Sequence, residues 1–164
     1  MRNIHVVWEG PISLRDALNL KSSSDYGLYQ YYGCHPMYGY NTLLYVGKAQ
    51  KQTFGARIVQ HNWEVWSSGD IELYVGRIHS VEPLDENEWE NQIDLAERII
   101  LQSHTPSFNS SNLNTIGYKG EDIRVLNWGK RRLLLPEVSI SRWEGLFAVG
   151  NKLNSTFLQQ KRNS

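Results

Sequence analysis

Residues 26–48 constrain the fold more than any other stretch. Tyr26 to Tyr32 and Thr42 to Lys48 are short runs rich in aromatic residues, and turn-forming residues bound both of them. Between them lie Gly33-Cys34-His35-Pro36-Met37-Tyr38-Gly39-Tyr40-Asn41. Such a pattern specifies an antiparallel hairpin with a long connection. A helix from Thr53 to Trp66 and a third strand from Ile71 to Ile78 follow. A long helix then starts at Asp85, because Asp85 and Glu88 have the spacing of a capping box. It runs through Trp89, Ile93, Ile99 and Ile100 to about Ser103, where Pro106 must end it.

The flanks read more weakly. Ile4, Val6, Val7 and Trp8 form an apolar patch, and a short helix from Ser13 to Leu20 has Ser13 as its N-cap. Beyond residue 112, Ile123 to Trp128 and Arg132 to Val138 read as two strands around Gly129-Lys130. The expected fold is α+β, a small antiparallel sheet of about three strands flanked by helices, with a β-rich C-terminal extension. The expected organisation is an N-terminal extension (1–24), a core (25–112) and a basic extension packed on that core (113–164).

A chain of 164 residues, 40% hydrophobic, is long enough for one domain with a substantial core. The single Cys34 excludes an intramolecular disulfide. No apolar run approaches the ~20 residues of a membrane span, and Met1 to His5 has no secretory character, so the expectation is a soluble, cytoplasmic protein. The formal charge is zero but unevenly spread. Residues 1–112 hold 8 Lys/Arg against 13 Asp/Glu, and residues 113–164 hold 9 against 4. A polyanion would be drawn to the second part and repelled by the first. No zinc-ligand set of Cys and His and no phosphate-cradling loop is present.

Several side chains could carry chemistry. Glu97 emerges from a helical face otherwise made of Ile93, Ile100 and Leu101. A buried carboxylate is costly unless it is paired or bound to a metal, so Glu97 is either a metal ligand or half of a salt bridge with Arg57 or Arg98. One carboxylate suffices for Mg²⁺, which retains waters and takes further oxygens from phosphate. Arg57 and His61, four apart, share one face of a helix and suit either a surface pair or a phosphate clamp with a proton acceptor. Tyr29 and Tyr45 fit a sheet core equally well. Ionising a tyrosine of pKa ~10 at neutral pH costs roughly 4 kcal/mol, so a base role needs a nearby cation such as Lys48 or an acceptor such as His61. Asn109, after Pro106, is a turn residue or a tie to the sheet. Lys130, Arg131 and Arg132 make either a solvated turn or a phosphate-contacting one. Trp128 and Trp143 pack on the core or stack on bases.

Gly27-Leu28-Tyr29 and Tyr45-Val46-Gly47, followed in order by Arg57, His61, Glu97 and Pro106-Ser107-Phe108-Asn109, resemble the GIY-YIG nuclease family over about residues 26–112. Leu28 and Val46 replace the isoleucines of the family name, and the loop between the two motifs is longer than usual. A second copy of the tripeptide, Tyr74-Val75-Gly76, lacks the flanking pattern and reads as sheet core. The resemblance implies an endonuclease hydrolysing phosphodiester bonds with one Mg²⁺, for which Mn²⁺ substitutes, and DNA in preference to RNA as substrate. It implies that Tyr29 is the base, Tyr45 orients water or phosphate, Arg57 and His61 are catalytic, Glu97 holds the metal and Asn109 shapes the site. Lys48, Lys130, Arg131 and Arg132 would contact nucleic acid. One metal site cuts one strand, so a double-strand break would need a homodimer or two successive events. No membrane and no organic cofactor is expected. The alternative is a catalytically inactive nucleic-acid- or protein-binding module on the same fold.

Overall fold

A computed structural model describes residues 2–61, 69–111 and 122–141. Its elements are β1 (Arg2–Ile12), α1 (Leu14–Ala17), β2 (Gly27–His35), β3 (Gly39–Ala49), α2 (Phe54–Ile58), β4 (Glu72–His79), α3 (Glu86–His104), β5 (Ile123–Gly129) and β6 (Glu137–Ser139). The strands form one six-stranded mixed sheet in the order β3-β2-β4-β1-β5-β6. That overturns the expected small antiparallel sheet of about three strands.

The difference has a physical cause. Ile4, Val6 and Trp8 alternate along β1 and are all buried, which is the period of a half-buried strand and not of a loose patch. β1 pairs antiparallel with β4 and parallel with β5, from Arg2 opposite Ile123 to Trp8 opposite Gly129. β1 and β5, from the two flanks of the chain, are thereby inner strands of the sheet, with β6 at its edge. The expected strand from Arg132 to Val138 is mostly a loop, with only Glu137–Ser139 pairing to β5.

Each sheet face has its own core. On one face α3 packs Ile93, Ala96, Ile99 and Ile100 against Ile4, Val6, Trp8, Leu28, Val46 and Val125. On the other, α1 and α2 bring Ala17, Phe54 and Ile58 onto Tyr29, Tyr31, Leu44 and Val75. Alternation along β2 sorts its residues between the two, with Leu28 and Tyr32 toward α3 and Tyr29 and Tyr31 toward α2.

The helices start where capping chemistry places them. The Ser13 hydroxyl accepts from Asp16 N, the Thr53 hydroxyl from Ala56 N, and the Asp85 carboxylate from Glu88 N. Only half of a capping box forms at Asp85, because the Glu88 carboxylate turns to Gln92 and Arg2. α3 stops at Thr105, whose left-handed backbone (φ 42°) directs its N–H to Leu101 O before Pro106. α2 is much shorter than expected and ends at Ile58. The far end of the expected helix, 62–66, and Trp143 lie outside the described residues. Among the described residues no helix is long and apolar enough to cross a membrane.

Candidate active site

β2 and β3 run side by side with Tyr29 opposite Gly47 and Tyr31 opposite Tyr45. Gly47 has a steric reason to be glycine. A Cβ there would lie 2.6 Å from both Cζ and Oη of Tyr29 and 2.6 Å from the Tyr45 ring. The missing side chain is what lets the two phenols lie together, with ring centroids 6.1 Å apart. Gly27 serves the strand pairing. Its φ is +140°, and a Cβ would sit 2.2 Å from the carbonyl oxygen of Gly76. The second tripeptide copy, Tyr74-Val75-Gly76 on β4, thus pairs with Leu28, Tyr29 and Gln30 of β2. Its Tyr74 is buried and bonded to Glu72, within the sheet.

His61 completes the aromatic group. Its Nε2 is 3.1 Å from the Tyr29 hydroxyl, and its ring lies 5.4 Å from that of Tyr45. Because α2 ends at Ile58, His61 sits beyond the helix, in the turn after it, and the shared-helix-face reading of Arg57 and His61 does not hold. They nevertheless converge. Burial and then the Arg57 charge hold the His61 pKa below its ordinary 6.5. With His61 neutral and its proton on Nδ1, the Tyr29 hydroxyl donates to Nε2. Burial raises the Tyr29 pKa far above the usual tyrosine value, and Tyr45 and Glu97 add to the rise while Arg57 opposes it. Tyr45 is raised by burial and then by the Glu97 charge. Both phenols are therefore neutral at rest.

Glu97 lies on α3, 8% exposed, and reaches the β3 edge strand. Its partner is neither Arg57 nor Arg98 but Lys48, with Nζ to Oε2 at 3.0 Å. Lys48 also pairs closely with Asp94, whose other oxygen takes Arg98 at 2.9 Å. Burial raises the Glu97 pKa, and Lys48 partly offsets it. Desolvation alone would lower the Lys48 pKa, but the bonds to Asp94 and Glu97 outweigh it and raise it. Asp94 was missed in the sequence. Its signal was the spacing of three from Glu97, which puts the two carboxylates on one helical face. Gln60 was missed as well. It accepts from Arg57 Nη1 at 2.9 Å, and its own amide donates to Gln52 at 2.8 Å.

Asn109 binds both backbone groups of Val46. Its Oδ1 accepts from Val46 N (3.0 Å) and its Nδ2 donates to Val46 O (2.8 Å), so the amide acts as a short extra strand on the β3 edge. The basic loop lies elsewhere. Arg132 stacks 5.0 Å from the Tyr32 ring and bonds Asn41 and Glu72, while Arg131 donates to the Leu134 carbonyl. The buried Gln30 donates to Arg131 O, and Tyr32 accepts from Leu133 N, which fixes this loop to β2. Lys130 is exposed, with its backbone N–H bonded to Trp8 O. Trp128 is half exposed and stacked on His5, outside the core.

Among the described residues, no group of three or more His, Cys, Asp or Glu side chains converges as a metal cage. The donors present suit a different arrangement. Two carboxylates on α3 already hold a cation, the Lys48 ammonium, and the charge of one of them, Glu97, raises the pKa of both phenols. A hard divalent ion held by one carboxylate and water fits that donor set. No protein-family model, curated protein or solved structure matches the chain.

Proposed function

We propose that the chain is a metal-dependent endonuclease of the GIY-YIG kind, hydrolysing phosphodiester bonds in DNA. The observation that carries this reading is the contact between the Tyr29 hydroxyl and His61 Nε2, made beside Arg57 and within the field of Glu97. A buried tyrosine that stays protonated is a poor base alone, but it can relay. As water attacks phosphorus, Tyr29 takes the water proton and passes its own to neutral His61. Tyr45 orients the water, and Arg57 offsets the charge that builds on the phosphoryl oxygens. Glu97 would hold Mg²⁺ or Mn²⁺, which supplies Lewis-acid polarisation of the phosphate and stabilises the leaving 3′ oxygen. A cytoplasmic location and a net-basic C-terminal third that helps to hold DNA belong to the same reading.

A plasmid assay tests it. Glu97→Ala and Arg57→Ala are each expected to abolish Mg²⁺-dependent nicking while circular dichroism stays that of the parent chain. Both variants cutting at the parent rate would sink the assignment. The inactive binding module is the second reading, and the pairing of Glu97 with Lys48 favours it. In that case Mg²⁺ and Mn²⁺ should leave the melting temperature unchanged.

A further inference from the structure

The ammonium of Lys48 and a divalent ion on Glu97 compete for the same carboxylate. Lys48 extends from β3 directly after Gly47, and its Nζ is 3.0 Å from Glu97 Oε2. A divalent ion on the same carboxylate would stand within about a few ångströms of that ammonium and repel it in a half-buried setting, so each weakens the other's hold on Glu97. Lys48 has somewhere else to go. Its second partner, Asp94, lies one turn earlier on α3, is more exposed than Glu97, and is held in place by Arg98 at 2.9 Å. The four groups are charge-balanced without metal, two carboxylates against two cations.

We propose that Lys48 is a gate on the metal position, and that Asp94 is the positioning residue that draws Lys48 off Glu97 when the metal binds. This rests on the reading of Glu97 as the metal ligand and adds its regulation. In the metal-free form the ammonium occupies Glu97, which keeps a buried carboxylate satisfied. On metal entry Lys48 remains bonded to Asp94 alone, so its charge stays neutralised one helical turn from the ion. Asp94 does not touch the metal; it sets how much binding must be given up to move Lys48.

Mn²⁺ binding, measured by electron paramagnetic resonance of the free ion without DNA, tests this without recourse to activity. Lys48→Met should bind Mn²⁺ at least about tenfold more tightly than the parent, because the competing cation is gone. Asp94→Asn should bind it more weakly, since Lys48 then has only Glu97. The decisive comparison is the double variant: the effect of Asp94→Asn should largely disappear in the Lys48→Met background. Equal loss in both backgrounds would make Asp94 a direct ligand or a bystander charge and overturn the gate. Equal Mn²⁺ affinity in the parent and Lys48→Met overturns the gate alone, provided Glu97→Gln abolishes binding. Absence of binding in both the parent and Lys48→Met overturns the gate together with the metal reading of Glu97. Metal-free melting curves of each variant separate misfolding from these outcomes.

Discussion

At the scale of single residues, the site depends on an absence. Gly47 leaves open the space into which the Tyr29 and Tyr45 phenols fit, and any side chain there meets Tyr29 Cζ and Oη at 2.6 Å. The strand backbone cannot yield without disturbing its pairing to β2, so the phenols must move. Gly47→Ala should cost about 1–3 kcal/mol of stability in urea unfolding and break the bond to His61. Nicking should fall far more than stability does; a variant as active as its parent would separate the phenol pair from function. His61 makes the pH dependence predictable. Burial and Arg57 depress its pKa in the folded chain, so the unfolded chain takes up the proton first as pH falls. The neutral acceptor, and with it the stability of the folded form, is retained above the ordinary value and lost in acid. The acid limb of kcat/KM should therefore lie below pH 6.5, and His61→Gln should remove it. A limb centred above that value contradicts the relay.

At the scale of elements, the edge strand β3 carries Tyr45, Gly47 and Lys48 and has β2 on one side only. On the other side the Asn109 amide satisfies Val46 N–H and C=O together. Asn109→Ala leaves both without a protein partner at a residue that is fully buried, and should destabilise by about 1–3 kcal/mol in urea. Asn109→Asp keeps the acceptor but loses the donor, and should fall between the two; a neutral Ala variant would show that water replaces the amide. Elements with a strong local signal were legible in the sequence. The hairpin, the third strand and α3 with its Asp85 cap lie close to where residue pattern and capping chemistry put them, except that β2 runs on to His35 and β3 starts at Gly39, leaving only residues 36–38 of the long connection expected between them. Other elements were not. Leu133-Leu134-Leu135 reads as a strand, yet only Leu134 is fully buried, Leu133 is exposed, and Pro136 interrupts the run. The pairing of Lys48 with Asp94 and Glu97 joins a strand to a helix more than forty residues away, and no local period reports such a contact. Arg57 and His61 were grouped on helical spacing, whereas a turn after α2 brings His61 to Tyr29.

At the scale of the whole molecule, the sheet is closed by strands from opposite ends of the chain. β1 sits between β4 and β5, and its pairing with β5 is parallel. Parallel strands cannot be joined by a tight turn, so their pairing leaves no hairpin signature in the sequence. Ile4, Val6 and Trp8 from one end and Ile123, Val125, Leu134 and Val138 from the other enter the same core as α3. Two polar links fasten the halves further: Trp8 Nε1 donates to Asn127 Oδ1 at 2.9 Å, and Leu135 N donates to His104 Nε2 at 2.9 Å. Residues 25–112 alone would keep the phenols, Arg57, His61 and Glu97 but lose β1, β5 and β6. β4 would become an open edge, and the α3 core would face water along Leu28, Ile93 and Ile100. Chains limited to residues 25–112, or ending at residue 112, are therefore expected to lack a cooperative thermal transition by circular dichroism and to aggregate. Adding residues 113–164 back in trans to the chain ending at 112 should restore folding in part, since β5 needs no covalent link to pair with β1. A fragment 25–112 that melts cooperatively and nicks DNA would show instead that the site needs only the hairpin, α2, β4 and the pairing of Lys48 with α3, and that β1, β5 and β6 serve another purpose.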